Sequence, residues 1–404
     1  MIIPNKGIVV KEPSPKLIIS LACATFLVCG LWNGAIGPVL TELAAKSSSP
    51  LTAVGGVITF LFLGALVAQL VTGPIIDNLG IKGVLITSLI LLSIGIVGFT
   101  FARSLASIFI FFLIAGLGQG AQNLAINLIV SNTFREKNTT YLNLLHFFFG
   151  LGAFSGPAFV SLSISLKASP FTLHWATSGL YALTAVVFVL FYKNQKPQPT
   201  QQPGDRENEK GLLYRSPLLW VLGFFLLVYV ASEYGLGSWS TAFMGVAAGM
   251  SVEKAALVTS AYWGVFTLGR LSGTFISRKL SIIKQLAVSV IGALLCGIAF
   301  VLVVQDKIPM IVAMVAIAFC LGPIFPTLMA LTARAFPGAQ GKAVGLVSAM
   351  SSVGGLSLPL LDGYFVERAN PQGYTLFNLG ILATVTLFFM LTVMLVNKLP
   401  QKIN

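Results

Sequence analysis

Charge is what this chain has least of: 9% of its 404 residues are Asp, Glu, Lys or Arg, against 56% hydrophobic. A soluble domain carries about a quarter charged residues. A water-soluble core cannot hide this much apolar surface, so composition excludes an ordinary soluble domain and implies a chain that crosses a membrane many times. Acid is scarcer still, with 12 Asp and Glu against 25 Lys and Arg. The four cysteines, Cys23, Cys29, Cys296 and Cys320, fall inside apolar segments at no metal-ligating spacing. They read as small buried hydrophobes, with no metal implied. There is no P-loop and no nucleophile set beside a base, so an ATP-driven pump and an enzyme both lack the residues to work. Lys6, Lys11 and Lys16 precede a long apolar span without a small-residue cleavage site, which argues against a cleavable signal.

What is present is a series of apolar runs. Twelve are long enough to span, near residues 17–41, 52–76, 83–102, 106–132, 140–165, 174–192, 215–244, 254–277, 283–303, 308–334, 341–365 and 373–396. One break is longer and polar, Lys193 to Lys210, and reads as a solvated linker. The predicted organisation is an N-terminal half (1–192), a linker (193–214) and a C-terminal half (215–404). The predicted fold is an all-α membrane protein of twelve transmembrane helices in two pseudo-symmetric halves of six. The halves repeat at an offset near 200: Gly37, Gly64 and Gly73 match Gly237, Gly264 and Gly273, and Asn33 lies opposite Glu233.

The cations test this topology. Of the 25 Lys and Arg residues, 18 fall on the side that would hold both termini, 6 on the other, and Arg270 lies inside a span. The positive-inside rule then puts both termini in the cytoplasm. Topology therefore accounts for the net charge of +13, and no nucleic-acid partner is needed. Compact loops fit a multi-pass protein of the inner (plasma) membrane, with the lipid bilayer and a small-molecule substrate as partners and a monomer as the default state.

Glu233 stands in the middle of an apolar helix. A carboxylate at that depth costs several kcal/mol unless it is paired, protonated or facing water, so it marks a functional site. Tyr229, Glu233, Leu236 and Ser240 share one helical face. A Glu that exchanges a proton or a cation in a dry cavity suits coupling, and Glu233 is the candidate coupling-ion site. The competing readings are an uncoupled carboxylate platform and a structural pair. Trp32 and Asn33 occupy comparable depth in the other half, and Tyr234 and Trp239 offer further aromatic surface, as a sugar's C–H faces and hydroxyls require. Gln119, Asn123 and Asn127 form a stripe on the fourth helix, and Asn143 and His146 run back past it on the fifth. Cavity lining and interhelical hydrogen bonding account for this stripe equally well. Arg270 lies about 10 Å from Glu233 along the membrane normal by helix rise, so a salt bridge requires its side chain to extend outward, and snorkelling to the inner rim is the alternative. Pro157, Pro323, Pro326 and Pro359 read as hinges.

The segment Gly73-Pro-Ile-Ile-Asp77-Asn-Leu-Gly80-Ile-Lys82 resembles the loop signature of the major facilitator superfamily. The resemblance implies a gating role for Gly73, Asp77, Gly80 and Lys82, although Asn78 and Ile81 replace basic residues of the signature. Three further stretches resemble the branch of fucose–proton and sodium–glucose symporters: Asn143 to Pro157, Tyr229 to Trp239, and Gly322-Pro323-Ile-Phe-Pro326-Thr327. That branch implies a monosaccharide carried with a proton or sodium ion, by alternating access, with no other cofactor. Many branch members have an Asp four residues before an Asn on the fourth helix. Here Asn123 precedes Asn127, which leaves coupling to Glu233 or removes it. The rival expectation is a proton-coupled exporter of an amphiphilic compound or glycolipid, for which Phe147, Phe148, Phe149 and Phe154 supply apolar surface. A non-transporting sensor is a third reading, weakened by the small size of the soluble parts.

If both termini are cytoplasmic, an epitope placed at either end should be accessible to antibody only after cells are permeabilised. Labelling of either end on intact cells contradicts the topology.

Overall fold

The computed structural model describes residues 14–134, 138–191, 213–277, 279–336 and 339–398, and among these the regular structure is helical. The reason is solvent: in hydrocarbon every backbone N–H and C=O must find its partner within the protein, and a helix does this locally. In the first half, α1 (Pro15–Gly34) and α2 (Ile36–Ser47) make one span broken at Ala35. The short α3 (Leu51–Val54) leads into α4 (Gly56–Phe101), followed by α5 (Leu105–Thr133), α6 (Asn138–Ser165) and α7 (Thr172–Phe191). The second half comprises α8 (Pro217–Ala248), α9 (Val252–Ile276) and α10 (Ile282–Leu302). It continues with α11 (Lys307–Leu321) and α12 (Ile324–Ala335), which share a span. Next come α13 (Gln340–Ser357) and α14 (Pro359–Glu367), which share another, and then α15 (Pro371–Val396).

The expected twelve spans are all present as helices, but by apolarity alone eleven candidate spans stand out among the described residues. The twelfth, α9, is 25 residues long, and it carries Arg270 along with Thr259, Ser260, Tyr262 and Thr267. Its polarity reflects its position at the centre of the protein. The prolines act as expected at two places, where spans break at Gly322–Pro323 and Leu358–Pro359. Pro157 instead sits inside an uninterrupted α6.

One expectation is corrected. The segment 73–82 is not an extended loop: α4 comprises two helices that meet at a kink at one non-helical position, Gly80, at φ 77° and ψ 162°. Only glycine adopts that conformation without strain, so a single residue turns the chain from the second span into the third. Lys82 then donates to the Val189 carbonyl at 2.9 Å, tying the turn to the end of α7. The surroundings of Gly73 and the side chain of Asp77, like residues 193–212 of the expected linker, lie outside the described residues.

Within each half the helices approach closely through small residues, because lipid supplies no hydrophobic drive and contact must come from packing. The α1–α6 pair shows this. A Cβ built at Gly30 would fall on the Phe149 carbonyl oxygen, and one built at Gly152 on that of Leu27.

The halves meet along a seam on the side away from the chain ends, called outer here. Gly37 of α2 sits on the Ser238 carbonyl of α8, and Trp239 of α8 fills the space between Gly55 and Gly363. Thr52 N donates to Glu367 Oε2 at 3.2 Å. Nearer the middle, Thr59 Oγ1 donates to the Leu356 carbonyl at 2.7 Å, and Ser260 Oγ donates to the Phe154 carbonyl. Toward the inner side, among the described residues, α5 and α12 pack against helices of their own halves. The molecule is thus closed outside, with its central space open inward.

Overpacking a tight helix contact costs about 1–3 kcal/mol. Gly152→Val should therefore lower the thermal unfolding midpoint in detergent by several degrees, while Gly179→Ala, at a helical position with open space, should hold or raise it.

Candidate substrate and coupling site

Glu233 is carried on α8, whose first turn begins with Pro217 at N1. Its side chain is 5% exposed, and Oε1 lies 3.5 Å from Nη2 of Arg270, whose side chain is 18% exposed. The guanidinium does reach outward, which decides against snorkelling. Its plane is supported by Phe266, with Cζ 4.6 Å from the ring centroid. The Tyr262 hydroxyl donates to the Glu233 backbone carbonyl at 3.1 Å, holding α9 against α8 at this level. Tyr229 lies beside both members of the ion pair. A buried pair of this kind is held by mutual attraction in a medium that solvates neither charge well, and removal of one partner strands the other.

The face expected along α8 divides. Tyr229 and Glu233 turn to Arg270, but Leu236 and Ser240 are fully buried. Ser240 Oγ pairs with Thr259 Oγ1 at 2.6 Å, so that end of the face is packing against α9.

From the first half, Asn33 of α1 faces the same region. Its Nδ2 donates to Gln119 Oε1 at 2.9 Å and to the Cys29 carbonyl at 2.8 Å, while its Oδ1 is buried without a partner. A buried amide oxygen left open is an acceptor the protein's own groups do not use. Tyr234 crosses the middle, edge-on to Phe62 of α4 at 4.7 Å and close to Cys29. His146 is exposed to the inward opening, edge-on to Phe26 at 5.8 Å, and near enough to Arg270 to feel its charge. Asn123 and Asn127 are half-buried farther along α5, and the side chain of Asn143 lies outside the described residues. Trp32 and Trp239 are both fully buried, Trp32 tilted against Phe112 and Trp239 in the outer seam, so neither presents a ring face to the opening in this conformation.

The fold therefore brings together Glu233, Arg270, Tyr229, Tyr234, Asn33 and His146. It also shows what the sequence does not single out. Gln119 belongs to the polar stripe of the fourth helix, yet only the fold makes it the partner of Asn33. Asp362 is fully buried in the C-terminal half and lies inside the span expected at 341–365, three residues from its end. Its position near a span boundary hides it among ordinary flanking charges.

Residues 21–310 and 306–403 match the profile of the Major Facilitator Superfamily. The chain belongs to that superfamily. It is a transporter, not an enzyme, and a multi-pass membrane protein. It is 23% identical over 376 residues to the human sodium-dependent glucose transporter 1, covering 85% of this chain and 72% of that protein. Among solved structures it resembles a bacterial homologue of the human lysosomal transporter Spinster, at TM-score 0.78 and 14% identity, over 96% of this chain and 98% of that one. It also resembles the Escherichia coli fucose:proton symporter at TM-score 0.64 and 18% identity, over 94% of this chain and 99% of that one. These structural likenesses establish the superfamily fold of two six-helix halves, in which the central space between the halves is the substrate path.

Directly interacting residues are non-additive by about 0.5–3 kcal/mol. In a thermal-stability cycle, Glu233→Gln and Arg270→Gln should each destabilise, and the double variant should lose less than the two single losses combined. Strict additivity would mean that the pair contributes nothing.

Proposed function

We propose that this transporter moves a monosaccharide by alternating access, coupled to a proton or a sodium ion through Glu233. The observation that carries this reading is the Glu233–Arg270 pair, a buried carboxylate neutralised by a cation that is itself reachable from the inward opening. In the conformation with the inner side open, Arg270 balances Glu233. A proton or sodium ion at Glu233 would replace that balance and release the guanidinium toward solute oxygens. Coupling then arises because the carboxylate is stabilised differently in the loaded and empty states, and a ligand shifts a conformational equilibrium only through such a difference.

On the opposite wall, the open Oδ1 of Asn33 accepts from a hydroxyl, and the Gln119 amide holds Asn33 in place. Tyr234 offers a ring at the same depth. A sugar is recognised by this combination of fixed polar groups and aromatic surface. The relatives support the same reading, since one is named as a sodium-dependent glucose transporter and a structural neighbour as a fucose:proton symporter. The proposal includes an inner-membrane location with both termini cytoplasmic, which rests on the distribution of the cations.

The test is uptake of a panel of labelled monosaccharides into proteoliposomes, with inward proton or sodium gradients applied separately. One gradient should drive accumulation of one sugar. Glu233→Gln should retain exchange of that sugar and lose accumulation. If the wild type carries no sugar under either gradient, the sugar assignment is wrong, and transport of amphiphilic compounds becomes the reading to pursue.

A further inference from the structure

A second buried carboxylate lies outside the site described above. Asp362 is on α14, five residues before the helix end at Glu367, and is fully buried. Its Oδ1 accepts from Asn378 Nδ2 at 2.7 Å, and the same amide group donates to the Tyr374 carbonyl at 3.0 Å. Asp362 Oδ2 has no hydrogen-bond partner, and neither do Asn378 Oδ1 and the Tyr374 hydroxyl beside it. Oδ2 is aimed at α8, where a Cβ built at Gly235 would fall on it. The contact is too close to admit a metal ion between them.

The groups around Asp362 do not neutralise it. α15 presents Asn378 and Tyr374, and α9 presents Tyr262. On α8, Glu233 is two residues from Gly235, but its side chain pairs with Arg270. Glu367 and Arg368 lie at the outer end of α14, and Arg368 stacks over Tyr364 at 4.2 Å. The adjoining turns of α3, α4 and α13 contribute no titratable side chain. No basic group forms an ion pair with Asp362 among the described residues. An ionised carboxylate so placed would be a buried, uncompensated charge with an unused oxygen, which costs several kcal/mol. A neutral acid avoids that charge, and the cluster holds spare acceptors for its proton.

The location gives this acid a route to solvent. Gly363, the next residue, backs onto Trp239, whose ring also covers Gly55 of the first half. Thr52 and Glu367 bridge the halves at the same end. Asp362 is thus one residue from the surface that is exposed when the outer seam parts, beneath the Trp239 ring that Gly55 covers. We propose that Asp362 is a second proton-binding site, loaded at Oδ2 from the outer side when the seam of α3, α8 and α14 opens, and sealed when it closes. It rests on the alternating-access part of the proposed function and not on the identity of the sugar. Tyr262, which donates to the Glu233 backbone and lies near Asp362, links the two carboxyl sites.

Infrared spectroscopy of the purified protein, without any solute, tests proton occupancy. The C=O stretch of a protonated carboxylic acid should be present at neutral pH, survive in Glu233→Gln and vanish in Asp362→Asn. It should diminish as pH is raised. A band that persists in Asp362→Asn, or one that never titrates and so marks a permanently protonated structural acid, overturns the proposal. If Asp362→Asn does not fold, Asn378→Leu keeps the carboxyl and removes its donor, so the band must shift, and an unshifted band counts against the assignment. In proteoliposomes, Asp362→Asn should reduce proton-driven accumulation to the level reached without a gradient while exchange persists. Accumulation equal to wild type overturns the role. Failure of wild type to carry any sugar would sink the sugar reading alone, since the infrared result is obtained without solute.

Discussion

The bilayer's refusal to solvate polar groups is the constraint on which the rest of this structure depends. It drives the backbone into helices, and it leaves a charge within a span no cheap option except a partner. Glu233 and Arg270 meet that demand with each other, from adjacent spans of the same half, with Phe266 beneath the guanidinium and Tyr262 bracing the carboxylate's own backbone. A pair that exists to neutralise buried charge is also a pair that a cation or solute can reopen. In the proposed function, coupling uses that dual character.

The rest of the architecture concentrates change at one place. Helix contacts within each half are made through glycines set against backbone, as at Gly30 and Gly152, and such contacts have little room to slide. Between the halves, α6 packs on α9 and α4 on α13, through Gly150 on Thr267, Gly264 on the Phe154 ring and Gly355 on the Phe62 ring, and an indole in a slot and a few hydrogen bonds add to these toward the outer side. Rigid halves that meet along the α6–α9 and α4–α13 pairs favour rocking over internal rearrangement. Both buried carboxyl groups sit where that motion is felt, Glu233 at the inward opening and Asp362 under the outer seam.

Several details show where sequence reasoning stops. Gly80 is legible as a turn residue, but a helix-breaking loop around it is not what forms. One positive φ suffices, because helices α4 contains on either side keep their own hydrogen bonds up to that residue. Helix rise alone leaves Arg270 about 10 Å from Glu233, and the length and direction of an arginine side chain close that gap only in three dimensions. Ser240 shares a helical face with Glu233, yet Thr259 claims it. Trp32 and Trp239 have the chemistry of a sugar platform, and packing has buried both in this conformation.

The sequence by itself determined the membrane class, the twelve spans, the pseudo-repeat between halves and the demand of Glu233 for a partner, because each follows from local periodicity or from the cost of one group in hydrocarbon. The tertiary structure alone decided which polar groups meet. The pairing of Asn33 with Gln119, of Glu233 with Arg270 and of Asp362 with Asn378 joins residues on different helices. Such pairings depend on helix rotation and depth, which are set by packing against neighbours and are written in no single stretch of chain.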